Sequence, residues 1–325
     1  MLRKFMRFLV IALLLAAPNF SCAAETYPTR AIRLIVPFSA GGAADIIARL
    51  LGAGMANALN MQIVVDTRAG AGTVLGTDLA AHANPDGYTL ILVATAHATN
   101  PALVGKLPYD SVKDFAPITL AVDTPLVIVI PATLAAASLR ELIELAKTRP
   151  QHLIYGSAGQ GTSGHLAMEL LSLKTGVAMT HVPYKGASQA LVDLLGAQIQ
   201  VVCTSTLPAL PHVRSGQLRA LAVTSARRSR AVPEIPTVAE AAQLPGFRAS
   251  SWYALLAPAR TSPAIINRLH AVATQVLRSP AMTEPLLAQG AEAIASTPAE
   301  LRRFLDAEIE VWTSVIRQAK VKPGS

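Results

Sequence analysis

The stretch Ile32-Arg-Leu-Ile-Val-Pro-Phe-Ser-Ala-Gly-Gly-Ala-Ala-Asp45 joins a β-branched run to a glycine-containing turn and then to a segment of helical period. A second turn of this kind, Tyr155-Gly-Ser-Ala-Gly-Gln-Gly-Thr-Ser163, also leads into an amphipathic helix. The first N–H groups of a helix lack intrahelical partners and carry partial positive charge, so such a turn holds an anion without a cationic side chain. Two turns this far apart predict one anion held between two lobes.

Short β-branched runs alternate with helical segments along the rest of the chain. The predicted strands are 32–36, 63–65, 89–93, 127–130, 153–155, 199–202, 219–223 and 253–256. This alternation predicts an α/β fold whose sheets are mostly parallel and covered by helices on both faces. Turn signals near Thr124 and in 245–251 indicate that the chain crosses into a second lobe and returns. We therefore expect one lobe from residues 25–123 and 250–325 and another from 124–249.

The N-terminus predicts export. Arg3, Lys4 and Arg7 precede an apolar segment, 8–17, that is too short to span a bilayer, and small residues follow at 21–24. Residues 1–24 therefore resemble a secretory signal peptide, which implies a periplasmic protein. A lipid anchor at Cys22 is less favoured, because Asn19 stands where a lipobox has an aliphatic residue.

Composition excludes several classes of protein. The chain has 325 residues, of which 52% are hydrophobic and 15% charged, as expected of a well-packed globular protein. Its formal charge of +8 mildly favours anionic ligands, but the basic residues are scattered and indicate no nucleic-acid partner. Removal of the signal peptide leaves Cys203 as the single cysteine, so no intramolecular disulfide is expected.

The sequence offers little support for an enzyme. It contains no His-Glu-x-x-His pattern and no Gly-x-Ser-x-Gly elbow. Gly70, Gly72 and Gly76 faintly resemble a dinucleotide fingerprint, but no acidic residue closes a following strand. We expect no catalytic residue, no metal site and no cofactor.

An ordered set of motifs resembles the Bug family, the extracytoplasmic solute receptors of tripartite tricarboxylate transporters. The resemblance covers the whole mature chain, in order and at the family's spacing. Its motifs are Tyr27–Asp45 as a block, Arg68-Ala-Gly-Ala-Gly72, Asn84-Pro-Asp-Gly-Tyr-Thr89, Leu107-Pro-Tyr-Asp110, His181-Val-Pro-Tyr-Lys-Gly186, Leu218-Arg-Ala-Leu-Ala-Val-Thr224 and Ile235-Pro-Thr-Val-Ala-Glu240.

The resemblance implies a two-lobed periplasmic binding protein of type II that closes on a small carboxylate and delivers it to membrane permease subunits. A monomer is expected. The family holds the ligand carboxylate by amides, hydroxyls and water from two turns, which match 38–43 and 157–163 here, and places the segment of Tyr184 and Lys185 near the cleft mouth. The candidate ligand-binding residues are Phe38, Ser39, Ala40, Gly41, Gly42, Ala43, Thr95, Ser157, Gly159, Gly161, Thr162, Ser163, Tyr184, Lys185, Thr204 and Ser205.

Some of these residues have competing interpretations. Phe38 either belongs to the core or walls the cleft, and Thr162 either caps its helix or meets the ligand. Near His97, which we interpret as structural, Thr95 is the better candidate. The family often carries an acid and an amide where this chain has Thr204 and Ser205, so an amino-acid ligand is less favoured than a plain or aromatic carboxylate. A receptor that signals to a membrane sensor remains an alternative to transport.

Overall fold

A computed structural model of the protein describes residues 27–148, 152–319 and 321. The predicted signal peptide and lipid-anchor position lie outside this part of the chain. The chain first builds one lobe. Its elements are β1 (Ile32–Val36), α1 (Ala43–Leu59), β2 (Ile63–Thr67), α2 (Val74–Ala81), β3 (Thr89–Ala94) and α3 (Ala96–Leu103).

A long strand then carries the chain into the second lobe. This strand is β4 (Phe115–Pro131), and it is followed by α4 (Leu139–Thr148), β5 (Ile154–Ser157), α5 (Ser163–Thr175), β6 (Thr180–Pro183), α6 (Ala187–Leu195), β7 (Val201–Ser205), α7 (Thr206–Arg214), β8 (Leu218–Val223) and α8 (Val238–Ala241). The return to the first lobe is made by β9 (Ser250–Pro258), α9 (Pro263–Leu277), α10 (Pro280–Leu287), β10 (Glu292–Ala293) and α11 (Pro298–Ala319).

The strand order is β2-β1-β3-β9-β4-β7-β5-β6, with β8 and β10 also paired to β4. Pairing is parallel between β1 and its neighbours β2 and β3, and between β5 and its neighbours β6 and β7. The pairs made by β4 and β9 are antiparallel. The α/β fold is as predicted, but the sheets are mixed instead of mostly parallel, because β4 enters both sheets, and β9 the first-lobe sheet, in the opposite direction.

The crossing strands mark where one lobe ends. β4 pairs with β9 as far as Pro125, opposite Ser250, and pairs with β7 from Leu126 onward. This change of partner supports the predicted boundaries at 123/124 and 249/250, which stay a prediction.

Both faces of each sheet are buried, as expected for strands with helices on either side. In β1, Leu34 and Val36 pack toward α1, whereas Ile35 belongs to the cluster on the opposite face. In β4, Ile128 and Val129 likewise belong to different clusters of the second lobe. Each lobe therefore has its own two-layer core. No helix in the described residues is both long and apolar enough to cross a membrane.

Capping boxes are present at the starts of α8 and α11, where Thr237 and Thr297 exchange hydrogen bonds with the glutamate three residues on. Ser138, before α4, begins a sequence of the same pattern, but the box there is incomplete. Glu141 accepts there from the amide of Ala137, one residue earlier than the box requires.

Candidate ligand-binding site

A small cavity lies between the lobes, and five helices of the described chain begin beside it. α1 and α3 come from the first lobe, and α5, α6 and α7 from the second. The cavity volume is about 40 Å³. Its lining residues are Phe38, Gly42, Ala43, Ala44, Ala94, Thr95, Ala96, Leu126, Ala158, Thr162, Ser163, Gly164, Ala187, Cys203, Thr204, Ser205, Ser251 and Tyr253.

The helices meet at the cavity because each follows a strand whose carboxyl end lies there, the place where α/β sheets bind ligands. Before α1, α5 and α7 the chain is extended at Gly42, Thr162 and Ser205, and none of these residues places a side chain on a helix amide. The first N–H groups of the helices therefore face the cavity without a cap, and their dipoles add positive potential there.

Hydroxyl groups complete the polar lining. Thr95 Oγ1 is buried and makes no hydrogen bond within the protein, and Ser205 Oγ is buried beside the Tyr253 hydroxyl. An unpaired buried hydroxyl is costly, so a bound ligand or water is the partner that Thr95 needs. The Tyr253 hydroxyl accepts a bond from Ser251 Oγ at 3.1 Å, and burial raises the pKa of Tyr253. It therefore remains a neutral donor.

No charged side chain of the described residues lines this cavity. The nearest carboxylate in sequence, Asp45, turns away and accepts from the Gly41 amide at 2.9 Å and from Arg49 at 3.0 Å. Asp45 thus has a structural role. A site of amides and hydroxyls, with no competing carboxylate on its wall, suits an anionic group.

Glycine permits the close packing that puts α5 in place. A Cβ on Gly164 would collide with the carbonyl oxygen of Cys203, in β7. The first turn of α5 therefore lies directly against β7, so the cavity ends of these two elements are held together. Cys203 itself is fully buried, and burial raises the pKa of its thiol to about 12.

A second, larger cavity of about 470 Å³ shares Phe38 and Ala158 with the inner one. Gly159, Tyr184 and Lys185 line this outer cavity. Phe38 is 7% exposed and packs in the first-lobe core, so it belongs to the core and also walls both cavities.

The loop 70–73 forms another wall of the outer cavity. Ala71 and Thr73 have φ of 47° and 78°, a left-handed conformation that non-glycine residues rarely adopt. Asn100 holds the loop, because its Nδ2 donates to the Gly72 carbonyl at 3.0 Å and to Thr73 Oγ1 at 3.2 Å. Backbone strain of this kind concentrates at functional sites.

The structure brings half of the predicted residues to the inner cavity. They are Phe38, Gly42, Ala43, Thr95, Thr162, Ser163, Thr204 and Ser205. Three more, Gly159, Tyr184 and Lys185, lie at the outer cavity. Ser39, Ala40, Gly41, Ser157 and Gly161 line neither of these two.

These last residues shape the turns and join the lobes. The Ser39 amide donates to the Lys185 carbonyl at 3.1 Å, and Ser188 Oγ donates to the Ala40 carbonyl at 2.7 Å. Thr99 Oγ1 donates to the Gly161 carbonyl at 2.7 Å. All three bonds run between the lobes.

Histidines support the second turn and the first lobe. Ser157 Oγ lies 2.8 Å from His181 Nε2, and the Gly161 amide donates to His165 Nδ1 at 3.1 Å. His97 bonds the Ser111 carbonyl at 2.8 Å and lies outside both cavities. Burial lowers the pKa of His97 to about 4, in keeping with the structural role expected for it.

Sequence reasoning missed the contribution of the crossing segments. Leu126, Ser251 and Tyr253 line the inner cavity from β4 and β9, and Asn100 supports the outer one. Nothing in their local sequence points to a site. The one available signal was the expected crossing of the chain near residues 124 and 250.

Fold and cavity together define a two-lobed solute-binding protein. The model of the tripartite tricarboxylate transporter family receptor matches residues 47–321. The chain belongs to this receptor family, whose solved neighbours include periplasmic binding proteins. It is a solute receptor and not an enzyme.

Individual relatives are similar to this chain over nearly their full length. Protein BugT of Bordetella pertussis is 39% identical, over 96% of this chain and 97% of its own. The periplasmic binding protein BugD superposes with a TM-score of 0.88 at 32% identity, covering 91% of this chain and 99% of its own. Rpa4515 of R. palustris with adipate gives a TM-score of 0.89 at 34% identity, covering 92% and 100%.

Proposed function

We propose that this receptor captures a small carboxylate between its lobes in the periplasm and delivers it to the membrane subunits of a tripartite tricarboxylate transporter. The observation that carries the proposal is the convergence of five helix starts and the unpartnered hydroxyl of Thr95 on one cavity, which no charged side chain of the described residues lines. Uncapped amides and the positive ends of helix dipoles stabilise an anion and disfavour a cation. The adipate bound by Rpa4515 supports the same ligand class.

The inner cavity would hold the carboxylate alone. At about 10–15 Å³ for each water, 40 Å³ is room for only a few water-sized groups. The carboxylate would therefore meet the amides of α1 and α5 directly or through one bridging water, which is nearly as favourable. Ser39, Ala40, Gly41, Ser157 and Gly161 would act by shaping the turns that present these amides.

The remainder of the ligand would lie in the outer cavity, where Lys185 stands at the wall. A second anionic group placed there would gain from the ammonium of Lys185. An exposed pair of this kind contributes at most about 1 kcal/mol, or about fivefold in affinity. Lys185 would therefore adjust ligand preference, with the inner cavity supplying most of the affinity.

A thermal-shift screen tests the proposal. The panel comprises di- and tricarboxylates, aromatic carboxylates, amino acids and neutral amides of the same shapes, applied to refolded protein. A ligand at a hundred times its dissociation constant adds about 2.7 kcal/mol of stability, a shift of several degrees. We expect carboxylates to shift the transition and their amides not to. A well-folded sample stabilised only by neutral compounds would contradict a carboxylate receptor.

A paired comparison isolates Lys185. Adipate and hexanoate share a chain length and differ in the second carboxylate. Lys185→Met should narrow the affinity ratio of this pair, whereas Lys113→Met, at a highly exposed lysine outside both cavities, should leave it unchanged. An unchanged ratio in Lys185→Met would remove Lys185 from the site.

Transport is favoured over signalling by the family alone. Deleting the gene and measuring solute uptake beside the transcriptional response separates the two. Uptake lost with transcription intact is the result we expect. Uptake intact with the transcriptional response lost would instead assign the receptor to a membrane sensor.

A further inference from the structure

Gly161 is hydrogen-bonded to both lobes through its backbone. Its amide donates to Nδ1 of His165 in α5, and its carbonyl, which belongs to the next peptide group, accepts from Thr99 of α3, on the first lobe. Both partners are buried, with Thr99 at 0% and His165 at 3% exposure. The backbone of Gly161 is therefore held within its own lobe by an imidazole and contacts the facing lobe through its carbonyl.

The contact specifies the protonation state of His165. Nδ1 accepts from the Gly161 amide, so the ring is neutral and carries its proton on Nε2. Nε2 lies 3.9 Å from Oε1 of Glu169, an oxygen that already accepts from the Tyr155 hydroxyl at 2.6 Å. A second proton, on Nδ1, would point at the N–H of Gly161 and abolish the bond.

A second imidazole holds the other half of the turn. His181 stacks on His165 with ring centres 4.1 Å apart, and its Nε2 lies 2.8 Å from Ser157 Oγ. Ser157 Oγ in turn donates to the carbonyl of Gly159 at 2.9 Å. The stacked pair thus supports the turn at both ends.

Burial opposes a charge on this pair. It lowers the pKa of His165 to about 4 and, with repulsion from His165, that of His181 to about 3. Glu169 of α5, 3.9 Å from His165 Nε2, would favour a charge, but its Oε1 is engaged by the Tyr155 hydroxyl of β5. Both rings are therefore neutral in this arrangement.

We propose that His165 is a positioning residue for the ligand-holding form: its neutral ring holds the Gly161 amide, and with it the turn whose Gly161 carbonyl receives Thr99 from the facing lobe. The role rests on the proposed function and assigns to it a residue that does not line either cavity.

Asparagine and glutamine variants of His165 test the roles of its two ring nitrogens separately. In His165→Asn, Oδ1 occupies the place of Nδ1 and still accepts from the Gly161 amide. In His165→Gln, the amide reaches the place of Nε2 and leaves the Gly161 amide without its acceptor. We expect His165→Asn to bind adipate within about twofold of the unchanged protein, and His165→Gln to bind about tenfold more weakly. Thr99→Val should resemble His165→Gln, and Thr99→Ser should not.

A measurement without ligand tests the role of His165 independently of carboxylate binding. Nitrogen-15 NMR of the seven imidazoles, with His165 assigned by its loss in His165→Asn, reports tautomer and pKa. We expect the Nε2–H tautomer and a pKa well below 6.5. An Nδ1–H tautomer, or equal adipate affinity for His165→Asn and His165→Gln, would overturn the role of His165. If the NMR result is as expected but no carboxylate of the panel binds, the carboxylate receptor fails and the positioning of Gly161 stands.

Discussion

Replacing Gly161 with alanine tests how closely the lobes meet at the turn between β5 and α5. Gly161 has φ of 72°, and a Cβ there would collide with the Leu103 side chain and lie 2.7 Å from Thr99 Oγ1, both on α3 of the facing lobe. Gly176, after the last turn of α5, offers a matched control. Its φ is 71°, and no heavy atom lies within 4 Å of the position its Cβ would take.

Both variants lose folding free energy because alanine disfavours a left-handed backbone, but only Gly161→Ala is also crowded by α3. A left-handed alanine loses about 1–2 kcal/mol of folding free energy at either position. Crowding against α3 adds about 1–3 kcal/mol in Gly161→Ala alone, and only when the lobes are together. That second cost falls on binding, so affinity should drop by about 5- to 150-fold.

Urea unfolding measures the loss of folding free energy in each variant. Calorimetric titration, with the carboxylate that binds the unchanged protein, measures the loss of affinity caused by crowding. We expect similar losses of stability in the two variants and a loss of affinity in Gly161→Ala only. Equal affinities for Gly161→Ala and Gly176→Ala would refute the close approach of Gly161 to α3 in the ligand-holding form.

Removing a cavity hydroxyl, by Thr95→Val or Ser205→Ala, should weaken carboxylate binding by about 0.5–1.5 kcal/mol each. Thr95→Val should also leave the melting temperature unchanged or raised, because the Thr95 hydroxyl has no partner in the protein. Titration calorimetry and thermal melts check this, and unchanged affinity in both variants would contradict it. Asp123→Asn should stabilise the protein at pH 7, because burial, with repulsion from Glu292 and Glu308, raises the pKa of Asp123 above its ordinary 3.8. A carboxyl with a raised folded pKa destabilises the fold once it ionises, so the gain should vanish as pH falls below 3.8, and a gain that persists there would contradict this cause.

The sequence predicted the strands and helix starts that short runs of neighbouring residues determine. The runs after which the chain turns, such as 32–36 and 89–93, lie within β1 and β3, and the two glycine-containing turns do lead into helices. β4 was predicted only as 127–130, although it begins at Phe115. Proline at positions 117 and 125 weakens a strand pattern, and the pairing with β9 shifts register next to Pro117.

Some of the predicted site residues line the inner cavity and others contact the facing lobe, for a physical reason. A turn presents some groups to the cavity and others to the facing lobe, and sequence does not distinguish the two faces. Ser39 and Ala40 were therefore predicted with Gly42, yet only Gly42 lines the inner cavity. Tyr253 was missed because its place at the cavity depends on β9 crossing between the lobes.

A crystal structure of the protein with a carboxylate from the thermal-shift panel tests the central claim most directly. We expect one carboxylate group in the inner cavity, with its oxygens about 2.7–3.2 Å from the first amides of α1 and α5 and from Thr95 and Ser205, or joined to them by a single water. A carboxylate bound at Lys185, with the inner cavity holding no part of the ligand, would contradict the assignment of the helix starts as the anion site.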